Sequence, residues 1–107
     1  MESAKFHHFG VPTSIKQENE SYMDGGKLFL TDPEAHPYRV EFLRFDDDSP
    51  MPKELQTMCH AAFVVDSLDE CLKGQQVVLE PTEINETLKV AFIKEGDALV
   101  ELMEMSE

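Results

Sequence analysis

The sequence predicts an α+β fold made of two successive units, each running strand, helix, strand, strand, strand, with the helix of the first unit reduced to a loop. Three observations lead there. The second half shows an apolar strand-like run, a capped helix start and three further strand-like runs in that order. The first half repeats the strands of this scheme. Two pairs of short segments also match between the halves: Phe6-His7-His8-Phe9-Gly10-Val11 with Met58-Cys59-His60-Ala61-Ala62-Phe63, and Val40-Glu41-Phe42-Leu43 with Val100-Glu101-Leu102-Met103. Self-similarity at such a spacing marks a duplicated supersecondary unit.

In the first unit, about residues 5–46, Phe6 to Val11 is the opening strand and Thr13 to Glu20 a polar tract. Ser14 followed three places on by Gln17 offers one capped turn there, but Lys16 to Glu20 has no apolar stripe to hold a helix on a sheet. Further strands are expected near Ser21 to Met23, Lys27 to Thr31 and Tyr38 to Phe45, punctuated by Asp24-Gly25-Gly26 and Asp32-Pro33. Residues 47–57 read as a linker, with a helical turn at Pro52 to Thr57.

The second unit, about residues 58–105, opens with Ala61-Ala62-Phe63-Val64-Val65. Ser67-Leu68-Asp69-Glu70 follows as a capping box, in which the serine hydroxyl satisfies an orphan N–H and Glu70 reaches back. Gly74 supplies the left-handed residue that closes a helix holding Leu68, Cys71 and Leu72. Strands are then expected at Gln76 to Glu80, Leu88 to Lys94 and Ala98 to Glu104, separated by Pro81 to Thr87 and by Glu95-Gly96-Asp97. His8 and Glu41 stand 33 positions apart, His60 and Glu101 41 apart; the difference of eight is what losing one short helix produces.

Composition limits the function. The 107 residues amount to one domain with a modest core. A net charge of −13 repels phosphate backbones and anionic lipid, which argues against nucleic acid and membrane surfaces as partners. The opening residues contain no apolar run of signal-peptide type and no later stretch approaches the ~20 apolar residues of a membrane span, so the cytoplasm is the expected location. Cys59 and Cys71, without CxxC spacing, are expected to be reduced and buried. Asp46 to Asp48 reads as a solvated loop, lacking the spacing of an EF-hand.

Strand alternation sorts the candidate ligands by what shares their side. His8 sits with Phe6 and Gly10, Glu41 with Arg39, Leu43 and Phe45, His60 with Ala62 and Val64, and Glu101 with Leu99 and Met103. The opposite sides are apolar too, and a sheet apolar on both faces must be covered on both; curling of the sheet itself provides the second cover. Glu101 lies inside the run Leu99-Val100-Glu101-Leu102-Met103, where an unpartnered carboxylate would cost several kcal/mol or more. Taken singly, each of the four has an ordinary explanation: a core or rim histidine for His8, a salt-bridged acid for Glu41, a carbonyl-bonded ring for His60, a protonated or paired acid for Glu101. Their recurrence at matching places favours two imidazoles and two carboxylates on one divalent cation. Nitrogen and oxygen donors suit Zn, Ni, Co, Mn or Fe(II).

These residues give the chain, from Phe6 to Glu104, a resemblance to the vicinal-oxygen-chelate superfamily of glyoxalase, bleomycin-resistance and extradiol-dioxygenase relatives. Ala91-Phe92-Ile93, Gly96 and Leu99-Val100-Glu101-Leu102 look like its C-terminal signature, and His60 to Leu68 looks like the entry to its second module. The resemblance implies tandem βαβββ modules forming a curled mixed sheet with an open cup, and metal ligands at His8, Glu41, His60 and Glu101. By site pattern it is nearest to glyoxalase I and methylmalonyl-CoA epimerase. The implied activity is that of a metal-dependent lyase or isomerase acting on a small oxygen-chelating substrate, with Glu41 or Glu101 as catalytic base. Arg39, on Glu41's side by parity, is the candidate to bind a substrate carboxylate or phosphate; a salt bridge to a nearby acid is the alternative. Two other functions stay open under the same resemblance, a non-catalytic small-molecule binder of bleomycin-resistance type and an Fe(II) extradiol-type dioxygenase, the latter disfavoured by a fourth protein ligand. A homodimer is the superfamily's habit.

Overall fold

The structure, a computed structural model, describes residues 3–106. It is an α+β fold of eight strands in mixed parallel and antiparallel pairing, two short helices and one 3-10 turn among the described residues. Among the described residues no helix is long and apolar enough to cross a membrane. The chain divides into two compact units, residues 8–59 and residues 60–107 together with 1–7.

The unit of residues 60–107 runs β5 (His60–Val64), α2 (Leu68–Cys71), β6 (Gln76–Asn85), β7 (Leu88–Glu95) and β8 (Ala98–Met105). The strand order is β5-β8-β7-β6. β5 and β8 pair in parallel, with Ala62 beside Glu101, while β6, β7 and β8 form an antiparallel meander. A parallel pair needs a crossover, and α2 lies within it. The turn of helix begins where Ser67 Oγ accepts from Glu70 N at 3.3 Å, and Gly74 takes φ 74 beyond it. Glu70's carboxylate is held by Lys73 Nζ at 3.1 Å. Leu68 N donates to Glu104 Oε1 at 2.8 Å, which ties the helix to β8. One sheet face, with Val65, Ala91, Ile93 and Leu102, packs on Leu68, Cys71 and Leu72 as the core. Phe6 belongs with this unit and meets Phe63 edge-on at a centroid distance of 5.9 Å.

β6 is longer than the sequence suggests, because the strand continues through Pro81 to Asn85. It stands at the end of its strand order, where a residue without an N–H is tolerated, and the pairing with β7 shifts register between Leu79 and Thr82, around the proline. Glu86 and Thr87 alone make the turn into β7, with Asn85 Oδ1 accepting from Thr87 N at 2.9 Å.

The other unit runs β1 (Lys5–Pro12, of which residues 8–12 lie here), β2 (Ser21–Met23), β3 (Leu28–Leu30), a 3-10 turn (Pro33–Ala35), β4 (Val40–Phe45) and α1 (Lys53–Thr57). Its order is β2-β3-β4-β1, with β1 and β4 parallel, Gly10 beside Glu41, and β2, β3 and β4 antiparallel. No helix forms between β1 and β2. The polar tract instead binds itself: Ile15 N donates to Thr13 Oγ1 at 3.1 Å, Gln17 N to Glu20 Oε2 at 3.1 Å, and Asn19 takes φ 62. Side chains that hydrogen-bond to nearby backbone in this way compete with a helix. Leu28, Leu43 and Leu55 are the buried leucines here. A Cβ on Gly26 would come within 2.7 Å of the Leu28 side chain and 2.9 Å of the Met23 side chain, so a larger residue there would have to displace those side-chain ends.

Glu20 and Arg44 form a two-pronged ion pair in this unit. Arg44 Nη2 and Nε donate to the two carboxylate oxygens at 2.7 and 2.9 Å, and the guanidinium stands 4.3 Å over the Phe29 ring. The Arg44 hydrogen bond holds the Glu20 carboxyl down from the ordinary 4.5 to about 2. A carboxyl depressed on folding stabilises above its unfolded value, and that contribution disappears as pH falls from 4.5 toward about 2. Urea unfolding at stepped pH should therefore show stability falling more steeply through that window in the unaltered protein than in Glu20→Gln. Equal slopes would refute the assignment.

Candidate metal site

The buried ionisable side chains among the described residues are His8, His60 and Glu101, and each offers one ligand atom to a metal ion. In the unit of residues 60–107, the first strand carries His60 and the last carries Glu101. Because Ala62 is the direct parallel partner of Glu101, His60 lies one alternation back on the same face. Its Nε2 stands 3.0 Å from Glu101 Oε1, and the two side chains are only 1% and 10% exposed. Phe92, opposite Glu101 on β7, meets the His60 ring edge-on at 4.9 Å and 84°.

In the unit of residues 8–59 the same local arrangement recurs. Gly10 is the direct parallel partner of Glu41, and His8 lies one alternation back. His8 Nε2 stands 3.5 Å from Glu41 Oε1, with side-chain exposures of 4% and 17%. Each histidine is therefore two residues before the residue that pairs with its glutamate. In both units a small residue, Gly10 or Ala62, fills the place beside the carboxylate.

The donor chemistry and these spacings fit a divalent cation. Two ligand atoms bound at ~2.0–2.2 Å with an angle between ~90° and ~110° stand ~2.8–3.6 Å apart. Both observed separations, 3.0 and 3.5 Å, fall in that interval. The second is longer than the ~2.7–3.2 Å of an N–H···O hydrogen bond.

Arg39 does not share the alternation that placed it on Glu41's side. β4 begins at Val40, and Arg39 has φ 58, a left-handed backbone that breaks the pleat before the strand starts. Its N–H donates to His36 O at 3.1 Å and its carbonyl accepts from Phe9 N at 2.9 Å, so the backbone of Arg39 serves the entry to β4. Cys59 is exposed and Cys71 partly buried, and neither forms a disulfide. Phe92 was not singled out from the sequence as a neighbour of His60. The two-residue turn Gly96-Asp97 could have supplied it, since a hairpin of that length sets Glu95 opposite Ala98 and so Phe92 opposite Glu101.

Comparison with models of known families and with curated proteins gives no match for this chain.

Proposed function

We propose that His8, Glu41, His60 and Glu101 together hold one divalent cation, and that the protein is a metal-dependent lyase or isomerase acting on a small molecule with two neighbouring oxygens. The observation that supports this most is the recurrence, in each unit taken by itself, of a buried histidine at ligand spacing from a glutamate on the parallel strand. In this reading the strands are those of two tandem modules whose sheet curls into an open cup, as the resemblance to the vicinal-oxygen-chelate superfamily implies.

A bound cation supplies Lewis acidity toward substrate oxygens as charge develops on them. The chain's own residues do the rest. His60 and Glu101 are the more enclosed pair, and the Phe92 ring packs against the imidazole. Glu41, at 17% exposure and 3.5 Å from its histidine, is the looser carboxylate. It is therefore the better candidate to take a proton from carbon next to a carbonyl and to return it.

The test is cobalt(II) titration of protein purified without chelator, followed by visible absorption and elemental analysis. One ion per chain is expected, with binding abolished in His8→Ala and in His60→Ala alike. Two ions per chain, each lost in only one variant, would replace the shared site by two separate ones. No ion at all would overturn the reading.

A further inference from the structure

On the face of β7 that carries Phe92, the next residue is Lys94. Its strand partners are Leu99 on β8 and Gln76 on β6, and Leu99 in turn is paired with His60 on β5. Gln76, Lys94, Leu99 and His60 thus form one row across the sheet, on the same side as Glu101. Lys94 is partly buried, and among the described residues its ammonium has no ion-pair or hydrogen-bond partner. Four other basic side chains have acidic neighbours. Lys27 pairs with Asp48, Arg44 with Glu20 and Lys73 with Glu70, while Lys89 has Glu83 and Glu104 as strand partners.

A lysine on this face, beside leucine and glutamine and with no ion-pair partner among the described residues, can place its charge against an anion. The rest of the chain makes this more pointed. At a net charge of −13 the protein repels an approaching anion, so an anionic group at the far end of a substrate gains from a cationic side chain beside it. Neighbouring strands are ~4.8 Å apart, which puts the Lys94 backbone ~10 Å from that of His60, two strands away. A lysine stem covers more than half of that span. An anion held at Lys94 would then sit only a few bonds from oxygens bound beside His60 and Glu101.

We infer that Lys94 is a specificity-determining residue that binds an anionic tail, carboxylate or phosphate, on a substrate whose other end carries two chelating oxygens. This rests on the metal reading above, and it narrows the substrate class to small 2-oxo or 2-hydroxy compounds with a second anionic group.

Cobalt-loaded protein separates the two ideas. Three 2-oxo acids serve as probes, read by cobalt absorption and calorimetry: 2-oxopentanoate with an uncharged tail, 2-oxoglutarate with a carboxylate tail of the same length, and 3-phosphonopyruvate with a phosphonate. The unaltered protein should bind at least one anionic-tailed probe ~10-fold or more tightly than 2-oxopentanoate, as charge-assisted contacts require. Whichever is preferred distinguishes carboxylate from phosphate. Lys94→Met should remove the preference without changing 2-oxopentanoate binding, and Lys94→Arg should restore most of it. Equal binding of all three probes by the unaltered protein, or a preference that survives in Lys94→Met, would overturn the role of Lys94 while leaving the metal in place. Failure of cobalt to bind would overturn the metal reading itself and remove this inference with it.

Discussion

Glu101→Gln is expected to weaken divalent-cation binding by at least ~100-fold while leaving the metal-free protein folded. Loss of a partner that only orients a ligand already costs ~10–100-fold in affinity, so loss of a charged ligand costs more. The amide keeps the size of the carboxylate and can still hydrogen-bond His60, so little is lost from packing at a position only 8% exposed. Removing a buried negative charge also lightens its desolvation cost when no cation is present. Stability is the second readout. Cation at ~100 times its dissociation constant adds ~2.7 kcal/mol to the unaltered protein, and a domain of this size gains ~10 °C or more in Tm from that amount. Cobalt added to the unaltered protein should produce that rise, and the same concentration should produce no more than ~3 °C in Glu101→Gln. An equal rise in both would exclude Glu101 as a ligand.

Leu68→Ala is expected to cost ~3 kcal/mol, the middle of the range for a leucine truncated in a packed core. Leu68 is 2% exposed and is the buried residue of the single helical turn that covers the core face of the β5-β8-β7-β6 sheet. Its neighbours Ala91, Ile93 and Leu102 sit on strands held by backbone ladders, and Val65, just past β5, donates its N–H to Met103 O at 2.9 Å, so the cavity collapses only in part. Marginal domains have ~5–15 kcal/mol in all, so the loss is a large fraction. The urea midpoint should fall with an unchanged slope, and cobalt affinity of the still-folded fraction should not change, because Leu68 packs against the face opposite Glu101. A midpoint shift equivalent to less than ~1 kcal/mol would mean that α2 contributes little to the core.

Both predictions depend on sorting the two faces of one sheet, and much of that sorting is visible in residue order. Period-two alternation put His60 and Glu101 on the face away from Val65 and Leu102, and the Ser67 cap and Gly74 marked the helix that covers the other face. The polar tract from Thr13 to Glu20, lacking an apolar stripe, was readable as a loop. Pro81 was misleading, because a proline normally ends a strand unless that strand lies at a sheet edge, and edge position is a property of the assembled sheet. Arg39 falls just outside β4, where alternation assigns no side. A left-handed φ of 58 at a non-glycine residue just before a strand has no signature in the side chain, and it breaks the parity that alternation assumes.

By itself the sequence determined the schedule of strands, the helix of the second half, the strong acidity and the residue types with which a cation could be bound. Tertiary structure alone decided register. Alternation says which way a side chain faces but not which residue of a distant strand stands beside it, and a slip of one position reverses every face. Pairing of β5 with β8 brings His60 within 3.0 Å of Glu101 across 41 positions of chain, and pairing of β1 with β4 brings His8 within 3.5 Å of Glu41. The same ladder puts Lys94 in the His60 row. Parallel partners so far apart in the chain are joined only by the collective burial of the faces between them, and that information is spread over the whole sheet.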